Sequence, residues 1–179
     1  NKAKLSIINI KSFELSQKIH LLIAPTKNHK RIEWMVEKLV EIGIYRISFI
    51  ICKNSIRKDI NLKRLNKVAL SAMKQTKNYF LPVIDDTLDY NKAFNLIETS
   101  NRYIAHLCHE IKTKTILTKK NNYDVCVLIG PEGDFTLDEV NYAFKDKFKE
   151  ISLGQNRLRT ETAGIFASIK FTTYYEYSA

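Results

Sequence analysis

The chain has 179 residues, 45% of them apolar, and a formal net charge of +10. That length holds one substantial domain, or one domain with an appendage, and the apolar share is enough for a real core. No apolar run reaches the ~18 to 20 residues of a membrane span, and residues 1–16 carry charges where a signal peptide needs an apolar stretch. A membrane protein and a secreted precursor are therefore excluded as expectations. The chain begins with Asn rather than Met, as a piece of a longer protein would.

Three cysteines, Cys52, Cys108 and Cys126, lie far apart, each in or near an apolar run. An odd number without a C-x-x-C pair argues against disulfides and against zinc. They read as buried, reduced thiols, no metal is expected, and the expected location is the cytoplasm. The basic excess fits either a solvated surface or a polyanionic partner held through phosphate contacts, most simply nucleic acid.

In chain order, Leu5–Ile10 and the polar residues after it read as a strand and linker, with a domain boundary near Lys18. Ile19–Ala24, closed by Pro25, suits a buried strand. Asn28 or His29 opens a helix whose stripe is Ile32, Met35, Val36, Leu39 and Val40, and Gly43 stops it. Arg46–Cys52 is the next strand. A helix over 61–77 turns Leu62, Leu65, Ala69, Ala72 and Met73 inward. Leu81–Ile84 is a short strand, 90–98 a weaker helix, and Arg102–Leu107 a strand. Residues 109–122 form a polar connection.

Asp124–Ile129 reads as a strand buried on both faces. Thr136 and Glu139 form a capping box, so a helix follows, with Val140, Ala143 and Phe144 on its apolar face. Glu150–Leu153 is the last strand. The final helix starts near Thr160–Thr162 and carries Ile165, Phe166, Ile169 and Phe171. Alternating strands and helices predict an α/β fold with a mostly parallel sheet and helices on both faces.

Two polar turns stand out. Gly130-Pro-Glu-Gly133 follows one strand, and Gly154 opens the segment to Thr162 after another. Glycine lets a ligand approach the main chain, and proline stiffens the turn. Neither turn is a Walker loop or a G-x-G-x-x-G loop. The plain alternative is an ordinary strand-to-helix turn. Thr160, Glu161 and Thr162 sit where orphan helix N–H groups need acceptors, so capping and the helix dipole account for them as well as chemistry does. Arg159 beside a glycine loop suits recognition of a phosphate or a base.

The phrases Leu128-Ile-Gly-Pro-Glu-Gly133 and Leu153-Gly-Gln-Asn-Arg-Leu-Arg-Thr-Glu-Thr-Ala163 resemble those of the SPOUT-class RNA methyltransferases. More narrowly they look like the enzymes that methylate N3 of a uridine in 16S ribosomal RNA, the RsmE type. Lys30-Arg-Ile-Glu33, Lys38, Glu41-Ile-Gly43, Ala72 to Gln75 and Leu81-Pro82 extend the likeness over roughly residue 19 to the end. The chain departs from the pattern at Asp134, at Cys52-Lys53-Asn54-Ser55, at Asn78 and at Asn156.

The resemblance implies a C-terminal trefoil knot and S-adenosylmethionine as cofactor. Its loops would fall at His106 and Leu107; at Ile129, Gly130, Pro131 and Gly133; and at Leu153, Gly154, Leu158 and Thr160. It also implies a homodimer, a partner in 16S ribosomal RNA of the small ribosomal subunit, a domain over 19–179, and an N-terminal β-barrel RNA-binding domain of which residues 1–18 are a remnant. Deprotonated uridine needs its charge stabilised, a role that suits Arg159, with Glu132 or Glu161 as proton acceptor. Lys30, Arg31, Lys53, Arg64, Lys74 and Lys77 would hold RNA backbone. The rival reading is an RNA-binding ribosome-assembly factor on the same fold with weakened catalysis, motivated by the substituted positions.

Overall fold

The computed structural model describes residues 6–10, 15, 17–107 and 124–176. Six strands, β1 (Ile19–Ile23), β2 (Arg46–Ile51), β3 (Val83–Asp89), β4 (Arg102–Ala105), β5 (Val125–Ile129) and β6 (Lys149–Glu150), form one sheet. Its order is β3-β2-β1-β5-β4-β6, and every pairing is parallel. All strands therefore end at the same edge, and the segments that leave them share it.

Strand alternation divides the core into two layers. Ile19, Leu21 and Ile23 of β1 and Val125, Val127 and Ile129 of β5 face one cluster. That cluster is closed by three helices: α1 (His29–Ile42), α2 (Leu62–Gln75) and α5 (Thr160–Glu176). Leu22, Cys126 and Leu128 face the other cluster, closed by α3 (Tyr90–Ala93) and α4 (Leu137–Lys145). β1 and β5 have no exposed residue. Their unbroken apolar runs follow from this position at the centre of a parallel sheet.

The helix ends follow their sequence signals. Asn28 accepts from Lys30 N at 2.9 Å, and Gly43 closes α1 at φ +90°. Ile44 N reaches back to Leu39 O at 3.0 Å, a Schellman pattern that a left-handed residue makes possible. In α4 the capping box of Thr136 and Glu139 is complete.

Other expectations are corrected. Residues 6–10 carry no strand, and Ile7, Ile8 and Ile10 are exposed. β3 spans 83–89, not 81–84, because its acidic residues lie on an edge strand where polar side chains reach water. The helix expected over 90–98 is one α turn followed by a 3₁₀ turn at Phe94–Leu96. The last strand is only Lys149–Glu150, although Ile151 N still donates to Ile104 O at 2.9 Å. Val140 and Ala143 are buried, whereas Phe144 is partly exposed. Phe171 is buried in α5, but Phe166 and Ile169 are each 45% exposed. Cys52 and Cys126 are buried free thiols whose burial pushes ionisation well up, and Cys108 lies outside the described residues. No helix of the described residues is long and apolar enough to cross a membrane.

Candidate active site

Three segments leave the carboxyl ends of β4, β5 and β6 and converge on a cleft of about 300 Å³. His106 and Leu107 come from the first, Gly130 to Asp134 from the second, and Ser152 to Thr160 from the third. Of the ten residues expected to hold a cofactor, nine line it: His106, Leu107, Ile129, Gly130, Pro131, Leu153, Gly154, Leu158 and Thr160. Gly133 does not. It packs instead against Asn54, whose Nδ2 donates to Gly133 O at 3.2 Å and to Asp134 O at 3.0 Å.

The segments are fastened by side chains that bond to neighbouring backbone. Buried Thr160 Oγ1 donates to Gly130 O at 3.0 Å, joining the start of α5 to the glycine turn. Asp134 Oδ2 accepts from Leu107 N at 2.6 Å. Lys170 Nζ donates to Ser152 O at 2.8 Å, and Arg157 Nη2 to Glu132 O at 3.2 Å. Asp134 has φ +62°, and Gly154 has φ +113°. The left-handed backbone explains why glycine suits position 134. Aspartate is among the few other residues that tolerate it.

The acid and base candidates separate. Glu132 lines the cleft and accepts from Lys27 N at 2.9 Å through Oε1. Its Oε2 is buried with no hydrogen-bond partner among the described residues. Glu161 is 4% exposed and does not line the cleft. It faces α1, where Arg31 Nε lies 3.6 Å from its Oε1. Arg159 lines the cleft, is exposed, and makes no ion pair or side-chain hydrogen bond among the described residues. His106 is buried, with Nε2 3.2 Å from Glu150 Oε1.

The basic candidates lie away from the cleft lining. Lys30, Lys53, Lys74 and Lys77 are exposed. Arg64 is clamped by Glu33, with Nη2 to Oε2 at 2.9 Å, and Arg31 is engaged with Glu161. Arg57 turns inward to Thr26 O and Lys27 O at 3.1 and 2.8 Å and braces the turn after β1. Sequence reasoning missed the tethers Asp134, Asn54 and Lys170. Only Asp134 carried a signal, as an aspartate standing where a turn favours glycine.

A parallel α/β sheet with a ligand cleft at the carboxyl ends of its strands defines the class of protein. The family description of an RNA methyltransferase domain matches residues 13–171, and the chain belongs to that family. Ribosomal RNA small subunit methyltransferase E of Mesomycoplasma hyopneumoniae is 32% identical over 163 residues, covering 88% of this chain and 70% of the relative. A crystal structure of a probable rRNA-methyltransferase from Porphyromonas gingivalis superposes with a TM-score of 0.81 at 37% identity, over 92% of this chain and 73% of the other. Ribosomal RNA small subunit methyltransferase E from Neisseria gonorrhoeae, solved bound to S-adenosyl methionine, gives 0.80 at 25% identity, over 89% and 67%. The α/β architecture is also shared with a TrmH/SpoU tRNA modifying enzyme of Aquifex aeolicus, at a TM-score of 0.57 and 13% identity.

Proposed function

We propose that the chain is an S-adenosylmethionine-dependent ribosomal RNA methyltransferase whose reaction takes place in the cleft at the ends of β4, β5 and β6. One observation carries this: three loops from separate strands, in a chain of this family, meet on a single cleft and are locked together by bonds to backbone. The lining fits the cofactor's chemistry. Ile129, Leu153 and Leu158 offer apolar walls, while turns at Gly130 and Gly154 leave main-chain groups near the ligand. The bound cofactor would supply an electrophilic methyl group on a sulfonium.

The finer reading is methylation at N3 of a uridine in 16S ribosomal RNA, in a cytoplasmic protein. Arg159, uncommitted within the cleft, would stabilise charge on the deprotonated base. Glu132, which lines the cleft, is better placed as proton acceptor than Glu161, which lies outside the lining and is turned toward Arg31. The half-exposed Phe166 and Ile169 on α5 support a second copy packed there, consistent with a homodimer. A C-terminal trefoil knot and a preceding RNA-binding domain belong to the same reading. Calorimetry with S-adenosylmethionine, followed by reverse transcription of treated 16S RNA, tests it. A stop at one uridine supports the assignment, because methylation at N3 blocks the pairing edge. Absence of cofactor binding by folded protein refutes it.

A further inference from the structure

A second concavity, of about 400 Å³, lies between the outer faces of α1 and α2. Lys30, Glu33, Trp34 and Glu37 share one face of α1 at helical spacing, opposite Arg64, Lys67 and Val68 of α2. Trp34 is the chain's single tryptophan and is 47% exposed. Its indole makes no ring contact among the described residues.

The charges around it are mixed on α1 and wholly basic on α2. Glu33 is taken by Arg64, whose hydrogen bond holds the carboxyl below its ordinary range, and Glu37 is taken by Lys38 Nζ at 2.8 Å. α2 carries Lys63, Arg64, Lys67 and Lys74 and no acidic residue. Lys30 and Lys67 make no ion pair among the described residues. A second copy docking α2 against α2 about a two-fold axis would bring like charges together, whereas a polyanion would be attracted to that helix. Groove and cleft share no lining residue, but one ion pair spans the helix starts between them. Lys30 adjoins Arg31, which pairs with Glu161, the neighbour of cleft residue Thr160.

We infer that this groove takes an unpaired nucleotide of the RNA substrate, with its base stacked on the Trp34 indole and its phosphates facing Lys30 and Lys67. Stacking on an exposed aromatic ring beside cations is the general means of holding single-stranded nucleic acid. The inference rests on the methyltransferase reading only for the identity of the strand as substrate.

Because Trp34 is the single tryptophan, its fluorescence reports the contact directly. Titration with an oligouridylate of about 12 nucleotides should quench the emission with the same midpoint as anisotropy of the labelled oligonucleotide. Trp34→Leu should raise the Kd from anisotropy by roughly 5- to 150-fold, and Trp34→Phe should recover most of the affinity. Circular dichroism checks folding, and S-adenosylmethionine affinity by calorimetry should be unchanged in both variants. The inference is overturned if the oligonucleotide fails to bind, if it binds without altering Trp34 emission, or if Trp34→Leu binds it as tightly as the unmodified chain. It is also overturned if Trp34→Leu changes only self-association in sedimentation, which makes the groove a contact between copies. If the stacking signal holds while S-adenosylmethionine does not bind, the groove stands and the cleft reading fails.

Discussion

Lowering the pH should weaken this fold through one buried histidine. His20 Nε2 lies 2.8 Å from Ser48 Oγ, Ser48 donates to Asp85, and Asp85 accepts from Arg46 Nε and Nη2 at 2.7 and 3.0 Å. The serine hydroxyl has one hydrogen and gives it to Asp85, so it accepts from His20, which places the imidazole proton on Nε2. Burial, and then the nearby Arg46 charge, lower the His20 pKa from 6.5 to about 4, against the opposing pull of Asp85. Between those values the unfolded chain binds the proton more readily, so stability falls as pH falls through the window. At about 1.36 kcal/mol per unit, the loss amounts to roughly 2–3 kcal/mol near pH 4.5 and grows only slightly below pH 4. Burial raises the pKa of Asp85, but the bonds from Arg46 and Ser48 outweigh it and hold the carboxyl low. Its own contribution is therefore lost only at more acidic pH. His20→Gln keeps a donor toward Ser48 without a titrating ring. Urea unfolding at about pH 7.5 and pH 4.5 should show the unmodified chain losing roughly 2–3 kcal/mol more than the variant. Equal losses in the two chains would refute this account of the cluster.

Three further outcomes are expected. Thr160→Val removes the donor to Gly130 O within the buried junction and should lower stability by about 1–3 kcal/mol in urea unfolding; it should also weaken S-adenosylmethionine binding in calorimetry, because the two segments it joins both line the cleft. Arg159→Ala touches no internal bond of the described structure, so thermal stability should stay within about 0.5 kcal/mol while methyl transfer to 16S RNA drops by at least 100-fold in a tritium-transfer assay. Asp134→Ala and Asp134→Gly both lose the bond to Leu107 N, but only alanine must hold φ +62° with a Cβ; the alanine chain should be the less stable by about 1 kcal/mol in thermal unfolding.

The fold was legible where one physical signal dominated. β1 and β5 read as buried strands because the centre of a parallel sheet demands apolar residues on both faces, and α1, α2 and α4 announced their caps through Asn28, Asn61 and Thr136. The misreadings sit at the sheet's edges. β3 is rich in aspartate because an edge strand meets water, and β6 is cut to two residues before the chain turns back over the sheet. α5 shows no single apolar stripe because one side packs on β1 and α1 while Phe166 and Ile169 point outward. For the site, the glycine turns were visible as turns. The bonds of Asn54, Asp134 and Lys170 to backbone were not, because a polar side chain at such a position does not reveal which distant backbone group it meets.

The division of labour among the cleft residues follows from which of them are already bonded. Thr160, Asp134 and Arg157, with Lys170 outside the lining, bond to the backbone of a neighbouring segment, at Gly130, Leu107, Glu132 and Ser152. Those bonds set the relative position of three loops that share no strand pairing at their tips. They therefore hold the shape of the cleft, while the exposed Arg157 keeps donors beyond the one bonded to Glu132 O. Arg159 and Asn156 also line the cleft, yet make no side-chain hydrogen bond or ion pair among the described residues. A site that is preorganised by one set of side chains leaves the other set free for charge that develops during reaction. On this reasoning a change at Asp134 alters how firmly the cleft is built, while a change at Asn156 alters what the cleft recognises.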